Sequence, residues 1–224
     1  MGEKFEDLST EIQELYWSAP ILWPNSVIFI VGGGPSIPDY DLNLIRGKYP
    51  TIGCNLAFLD FTWIDVIYFG DCKVHTWVSG KSKYRRQFDE YQGLKVSSCP
   101  DTRDDPRIKT LFRVHKGIVK DRRSIGWNQN TGLSAINLAV HFGARKVILL
   151  GFDMKLSKDG RMNYHDYHLA KVNHPVDTLK KHINYSKFVA ADVEKLGIEV
   201  INATPGSALP HWPIKHFEEV LNEL

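Results

Sequence analysis

The chain has 224 residues, 43% of them hydrophobic and 24% charged, which is enough to close a sizeable core and excludes disordered and fibrous classes. Its net charge of +2 hides an uneven spread: residues 1 to 80 carry a net −6, residues 81 to 123 a net +7, and the remainder is near balance. No apolar run approaches the roughly 20 residues of a membrane helix, so we expect no membrane span.

The N-terminus, Met1 to Asp7, has no apolar signal core, and Glu6 stands where a myristoylation site has Ser or Thr. A cytoplasmic protein is expected, in the host cytoplasm if the chain is phage-encoded. Phe5, Leu8, Ile12, Leu15 and Tyr16 recur at helical spacing and predict an amphipathic helix over 5–17. The apolar run 27–31 then reads as a buried strand ending in Gly32-Gly33-Gly34-Pro35-Ser36. Bare backbone at a strand end lets a ligand approach without a Cβ in the way, and helix-start amides attract anions. A helix over 38–47 is expected to follow, with Pro35 tolerated near its start. The pattern is neither a P-loop nor a dinucleotide fingerprint.

Further strands are predicted at 51–54, 65–69, 94–98, 146–151 and 198–202, and further helices at 82–91, 131–142, 178–196 and 213–223. Alternating strands and helices, with continuous apolar strands, imply an α/β fold. We expect a single domain over 1–224: a doubly wound, mostly parallel, Rossmann-like sheet with helices on both faces and a basic insertion. Residues 81–123, which hold Lys81, Lys83, Arg85, Arg86, Arg113, Lys116, Arg122 and Arg123, read either as a solvated surface or as a lid over an anionic ligand. Cys54, Cys72 and Cys99 are odd in number and lack Cys-x-x-Cys spacing, so packing roles are expected rather than a disulfide or zinc site.

In open α/β sheets ligands gather at the carboxyl ends of strands. Read to their ends, the strands deliver Gly32 to Ser36, Asn55, Asp71, Asp153 and Asn202. Asn130, Thr131 and Gly132 open the helix over 131–142, where capping and ligand contact are both open. Past Asp153 lies Lys155, then a loop with His165 and His168, followed by His174 and His182. Four of the nine histidines fall within 165–182, and proton transfer suits them better than metal binding, for which no third ligand has fixed spacing. No metal site is assigned.

These blocks resemble bacterial sialyltransferases of glycosyltransferase family 42: Val31-Gly-Gly-Gly-Pro-Ser-Ile37, Gly53-Cys-Asn-Leu56, Asn130-Thr-Gly-Leu133, Lys146-Val-Ile-Leu-Leu-Gly-Phe-Asp153 and Pro205-Gly-Ser-Ala-Leu209. Uncharacterised phage and prophage proteins share the same blocks, and archaeal 6-hydroxymethylpterin diphosphokinases share a related Gly-Pro-Ser block. The resemblance implies a CMP-sugar-like donor held by Gly32, Gly33, Gly34, Ser36 and Asn55, with Asn130 to Gly132 and Asp153 matching two further blocks. It implies a catalytic histidine ahead of the last long helix, a role for which His174 and His182 compete.

The chain departs from the family at Gly33, where an asparagine is usual, at Asn128, near the place of an arginine, and at Lys155, where a tyrosine is expected. The expected activity is nucleotide-dependent group transfer to a hydroxyl, with a histidine as base and Lys155 or a basic-segment arginine offsetting phosphate charge. The acceptor is left open among a glycan, a metabolite and a modified DNA base. Two alternatives are a Mg²⁺-dependent diphosphokinase-like transferase, using Asp71 and Asp153, and a non-catalytic nucleotide- or nucleic-acid-binding protein.

Overall fold

A computed structural model describes residues 4–80, 83–167 and 174–224. Among these, seven strands form one sheet in the order β5-β4-β3-β2-β1-β8-β9: β1 (Ser26–Val31), β2 (Thr51–Cys54), β3 (Val66–Phe69), β4 (Leu94–Ser97), β5 (Lys109–Thr110), β8 (Ala144–Leu150) and β9 (Glu199–Asn202). Every pairing is parallel. A small parallel pair, β6 (Phe112–Val114) with β7 (Ser124–Gly126), lies apart from it.

The chain builds outward from β1 to β5, then crosses back to place β8 on the other side of β1. That reversal splays the loops after β1 and β8 and opens a crevice at their carboxyl ends. Side chains of β1 alternate between two cores. Ile28 and Ile30 pack with Leu133, Ile136, Phe142 and Val189; Val27, Phe29 and Val31 pack with Ile37, Ile45, Phe217 and Val220 on the opposite face. Burial on this scale stabilises by about 1.5–3 kcal/mol per large side chain.

Six helices are described: α1 (Thr10–Glu14), α2 (Cys72–Ser79), α3 (Tyr84–Glu90), α4 (Thr131–Phe142), α5 (Pro175–Lys195) and α6 (Phe217–Asn222). In α4 all residues but Val140 are buried, the signature of a helix enclosed on every side. Asn130 caps it by accepting from the Leu133 amide at 2.9 Å, and Gly143, at φ 99°, ends it. Both are standard helix-end chemistry. Pro175 opens α5, where its missing N–H costs nothing.

Several expectations need correction. The segment 5–17 splits into a 3-10 turn, Phe5–Asp7, and the short α1, because Ser9 starts a new helix by accepting from Ile12. Residues 38–47 form two 3-10 turns, Ile37–Asp39 and Leu42–Leu44, since Asp41 takes the Asn43 amide and interrupts a continuous helix. The last helix starts only at Phe217 because the preceding segment runs beside β9: the Asn202 amide donates to the Pro213 carbonyl and the Lys215 amide to the Asn202 carbonyl. At the opposite edge, the Trp17 amide donates to the Thr110 carbonyl of β5 at 2.8 Å. Sequence reading missed α2, β5, β6 and β7 altogether.

The described part of the basic segment, 83–123, is built into the sheet rather than laid over it. It supplies β4 and β5 and buries Tyr84, Phe88, Tyr91, Val96 and Leu111. Part of its charge is paired internally, Arg107 with Asp105 and Asp89 and Arg86 with Glu90, and Arg122 donates to the His141 carbonyl of α4. Cys72 and Cys99 form a disulfide across a separation of 27 residues, correcting the expectation of free, packing thiols; Cys54 remains a buried free thiol. The bridge joins the first residue of α2 to the turn after β4, and closing a loop of this length contributes on the order of 3 kcal/mol. Such bridges persist in oxidising surroundings, which weighs against the cytoplasmic expectation. No helix among the described residues is long and apolar enough to cross a membrane.

Candidate active site

The crevice at the β1/β8 reversal holds a cavity of about 500 Å³, within the usual range for small-molecule sites. It brings together Gly32, Gly33, Gly34, Asn55, Asp71, Asn130, Thr131, Gly132, Asp153 and His182. Ser36 stands just behind it: its hydroxyl donates to Asp153 Oδ2 at 2.8 Å and receives the Tyr40 hydroxyl at 3.3 Å. Burial pushes the Asp153 carboxyl above its ordinary range, opposed by the Ser36 hydrogen bonds.

The glycine loop owes its bareness to the neighbouring strand end. The Gly32 amide donates to the Leu150 carbonyl, the Gly34 amide to the Gly151 carbonyl and the Ser36 amide to Asp153. A Cβ on Gly34 would stand 2.0 Å from Asp153 Oδ2 and 2.4 Å from the Gly151 oxygen. The loop is therefore folded tightly onto β8, and the expected anion-binding helix start is absent because only a 3-10 turn follows.

An open helix start is provided by α4. Asn130 satisfies the third amide of the helix, leaving the first turn directed at the cavity with Thr131 and Gly132 on its lining. Thr131 Oγ1 donates to Asn55 Oδ1 at 3.2 Å, linking the α4 start to the end of β2. The turn before α4 is strained: Asn128 and Gln129, at φ 51° and 54°, are both left-handed, at a cost of about 1–3 kcal/mol each. Asn128 is wholly buried; its side chain accepts from the Gly117 amide at 2.7 Å and donates to the Gly117 and Gly126 carbonyls. Those bonds hold the strained conformation in place.

The histidines separate clearly. His182 lines the cavity from the second turn of α5, and its ring is hydrogen-bonded to the Gln129 backbone. Burial, reinforced by Lys181, holds its pKa down at about 4, with the Gln129 bond opposing. The imidazole is thus neutral at pH 7 and able to accept a proton. Lys181 itself donates to Gln129 Oε1 at 2.8 Å. His174 is exposed at the N-cap of α5 and lies off the cavity lining. His165 packs against Tyr164 and Tyr167 at 4.7 and 4.5 Å, with its pKa lowered by burial. The hydroxyls of both tyrosines donate to Asp60, and the Tyr164 amide donates to the Gly33 carbonyl, which pins this loop over the glycine loop. His168 lies outside the described residues.

Lys155 is exposed and its ammonium donates to the Gly206 carbonyl, off the cavity lining. Lys73 of α2 is the lysine on the lining. Asp71 caps α2 by accepting from the Lys73 amide at 2.9 Å. Asn202 is buried behind the sheet end and off the lining, with no partner for its side-chain amide among the described residues. Sequence reasoning passed over Trp77 and Trp127. The available signal was the missed helix α2, where Asp71 as cap with Val74 and Val78 four apart marks a short amphipathic turn.

No protein-family model matches the chain, and no curated protein matches it in sequence. Solved structures do. The sialyltransferase CstII from Campylobacter jejuni in complex with cytidine-5'-monophosphate superposes at TM-score 0.53 and 16% identity, covering 86% of each chain. An α-2,3-sialyltransferase from the same organism in apo form gives 0.52 and 15%, covering 88% of this chain and 83% of that one. CST-II in complex with a trisaccharide acceptor and CMP gives 0.50 and 15%, covering 84% and 85%. The chain shares the sialyltransferase fold. At these identities the likeness concerns fold, and chemistry must come from the cavity itself.

Proposed function

We propose that the chain transfers a sugar from a nucleotide-sugar donor, of the CMP-sugar kind, to a hydroxyl acceptor. The observation that carries this reading is one cavity at the sheet reversal that joins an open helix N-terminus, at Thr131 and Gly132, to a neutral, desolvated imidazole, at His182. In the scheme, His182 takes the proton of the acceptor hydroxyl as its oxygen attacks the anomeric carbon of the donor. The bond from that carbon to the phosphate oxygen breaks, and its electron pair leaves with the nucleoside phosphate. The first-turn amides of α4 stabilise the departing phosphate, because helix-start amides favour anions. The CMP bound in related folds supports cytidine as the first base to test, and the trisaccharide acceptor of another supports a glycan acceptor.

A pKa near 4 makes His182 a weak base in the empty cavity. An anionic donor beside it favours the imidazolium and raises that pKa, so basicity grows once donor is bound. Asp153 is hydrogen-bonded to Ser36 and Asp71 caps α2; the scheme assigns neither to a metal.

A melting screen over nucleoside monophosphates and diphosphates and their sugars tests the donor, since a ligand specific for the folded state raises the midpoint. CMP or a CMP-sugar is expected to give the largest rise. His182→Ala should lower turnover by about 100-fold or more with CMP affinity kept. A flat screen, or full activity of that variant, overturns the proposal.

A further inference from the structure

The cavity lining mixes short polar groups, Asn55, Thr131 and the glycines, with two indoles, Trp77 and Trp127, and the charged Asp71 and Lys73. The Trp127 indole is fixed before any ligand arrives. A Cβ on Gly70 would stand 2.0 Å from Trp127 Cζ3, so the ring fills space that only glycine leaves. The Arg113 guanidinium lies 4.4 Å from the ring centroid. Arg113 is itself held, with Nε donating to the Ser98 carbonyl at 2.9 Å and Nη2 to the Gly70 carbonyl. The Trp127 amide donates to the Val114 carbonyl at 2.7 Å. An indole clamped in this way, half-buried and facing a cavity, offers a rigid surface at little entropic cost.

Two residues beyond Trp127, the Gln129 backbone holds the His182 ring. A general base must reach the proton it removes, so the acceptor hydroxyl belongs beside His182, and Trp127, two residues from Gln129, lines the same cavity. We propose that Trp127 is the acceptor platform: a pyranoside lays its apolar C–H face on the indole, and the Asp71 carboxylate accepts from one of its hydroxyls. Arg113 acts as a positioning residue for the ring. This rests on the sugar-transfer reading above and names where, and by what face, the acceptor is held.

Saturation-transfer NMR of methyl β-galactopyranoside, with and without CMP, tests it on the wild type, Trp127→Ala and Trp127→Phe, with CMP affinity measured by calorimetry. In the wild type, transfer should concentrate on the C–H protons of one sugar face. It should fall at least fivefold in Trp127→Ala and return in part in Trp127→Phe, while the CMP Kd changes less than threefold; the phenylalanine variant carries the test if the alanine variant fails to fold. Galactoside signals that survive Trp127→Ala overturn the platform. So does a tenfold loss of CMP affinity with the galactoside signal kept, which would put the nucleobase on Trp127. CMP binding without any galactoside signal in the wild type overturns the platform and leaves the donor reading intact. A galactoside signal that depends on Trp127, in a protein that ignores CMP, keeps the platform and overturns the donor reading.

Discussion

The loop after β1 and the turn before α4 are two corners of the same cavity, yet they are built on opposite principles. In the first, Gly32 to Ser36 fold onto the end of β8, where the Gly32, Gly34 and Ser36 amides are taken up by Leu150, Gly151 and Asp153. In the second, two left-handed residues held by buried Asn128 present the start of α4 to open space. Bare backbone in the first serves packing between strands; in the second, strain serves access. A glycine run at a strand end is thus poor evidence of a ligand until the partners of its amides are known.

The largest expected effect separates glycine for packing from glycine for ligand. Gly34→Val would drive a branched side chain into the Gly151 carbonyl and the Asp153 carboxylate, and we expect a loss above about 3 kcal/mol, or failure to fold, in a denaturant titration. Its neighbour should behave oppositely: a Cβ on Gly33 meets only Asn163 Oδ1, at 3.3 Å, so Gly33→Ala should shift stability by about 0.5 kcal/mol or less. Equal losses in the two variants would erase the distinction drawn here.

Next comes the strained turn. Asn128→Ala removes three hydrogen bonds to Gly117 and Gly126 and leaves those buried groups unpaired, at a cost of about 2–4 kcal/mol. Nucleotide affinity should fall as well, because the α4 start loses its support; wild-type affinity in a folded Asn128→Ala protein would show that the strain is incidental. Asn130→Ala should be milder, costing about 1 kcal/mol for the lost cap.

Acid should act on the α4 corner in a graded way. His182, held at about 4, stays neutral in the folded protein while an unfolded histidine, near 6.5, takes up a proton. Folding stability is therefore fully present above about pH 6.5 and is lost as pH falls from there toward 4. His141 and His165, also lowered by burial, act in the same direction, and the raised Asp153 carboxyl opposes them. Melting temperatures between pH 7.5 and 5 should decline, and His182→Gln should make the decline shallower; an unchanged slope would mean that the His182 ring is more hydrated than its surroundings imply.

The sheet was legible where strands are long and apolar: β1, β2, β3, β4, β8 and β9 all fall within a residue or two of their expected places, because continuous burial on both faces leaves a continuous apolar run. The eight-residue α2 and the two- or three-residue β5, β6 and β7 were not legible in the same way. α2, β5, β6 and β7 are short, and their order comes from distant partners such as the Cys99 sulfur and the Asn137 side-chain Oδ1 that takes the Val119 and Gly126 amides. Much of the cavity lining was readable from strand ends, as Asn55, Asp71 and Asp153 show. The aromatic lining was not, since Trp127 is held in place by Arg113 and Gly70, distant from it in sequence.

Both borders of the sheet are sealed by the ends of the chain. The segment at Trp17 bonds to β5, and the segment 213–215 bonds to β9. An unsealed border strand offers its free amides and carbonyls to any other strand that drifts past, the usual route to self-association. Trimming either flank would therefore do more than shorten the protein: a chain begun after Trp17 or stopped before Pro213 would be left with an adhesive rim, and would be expected to gather into sheet-like assemblies while the crevice at the sheet reversal was still whole.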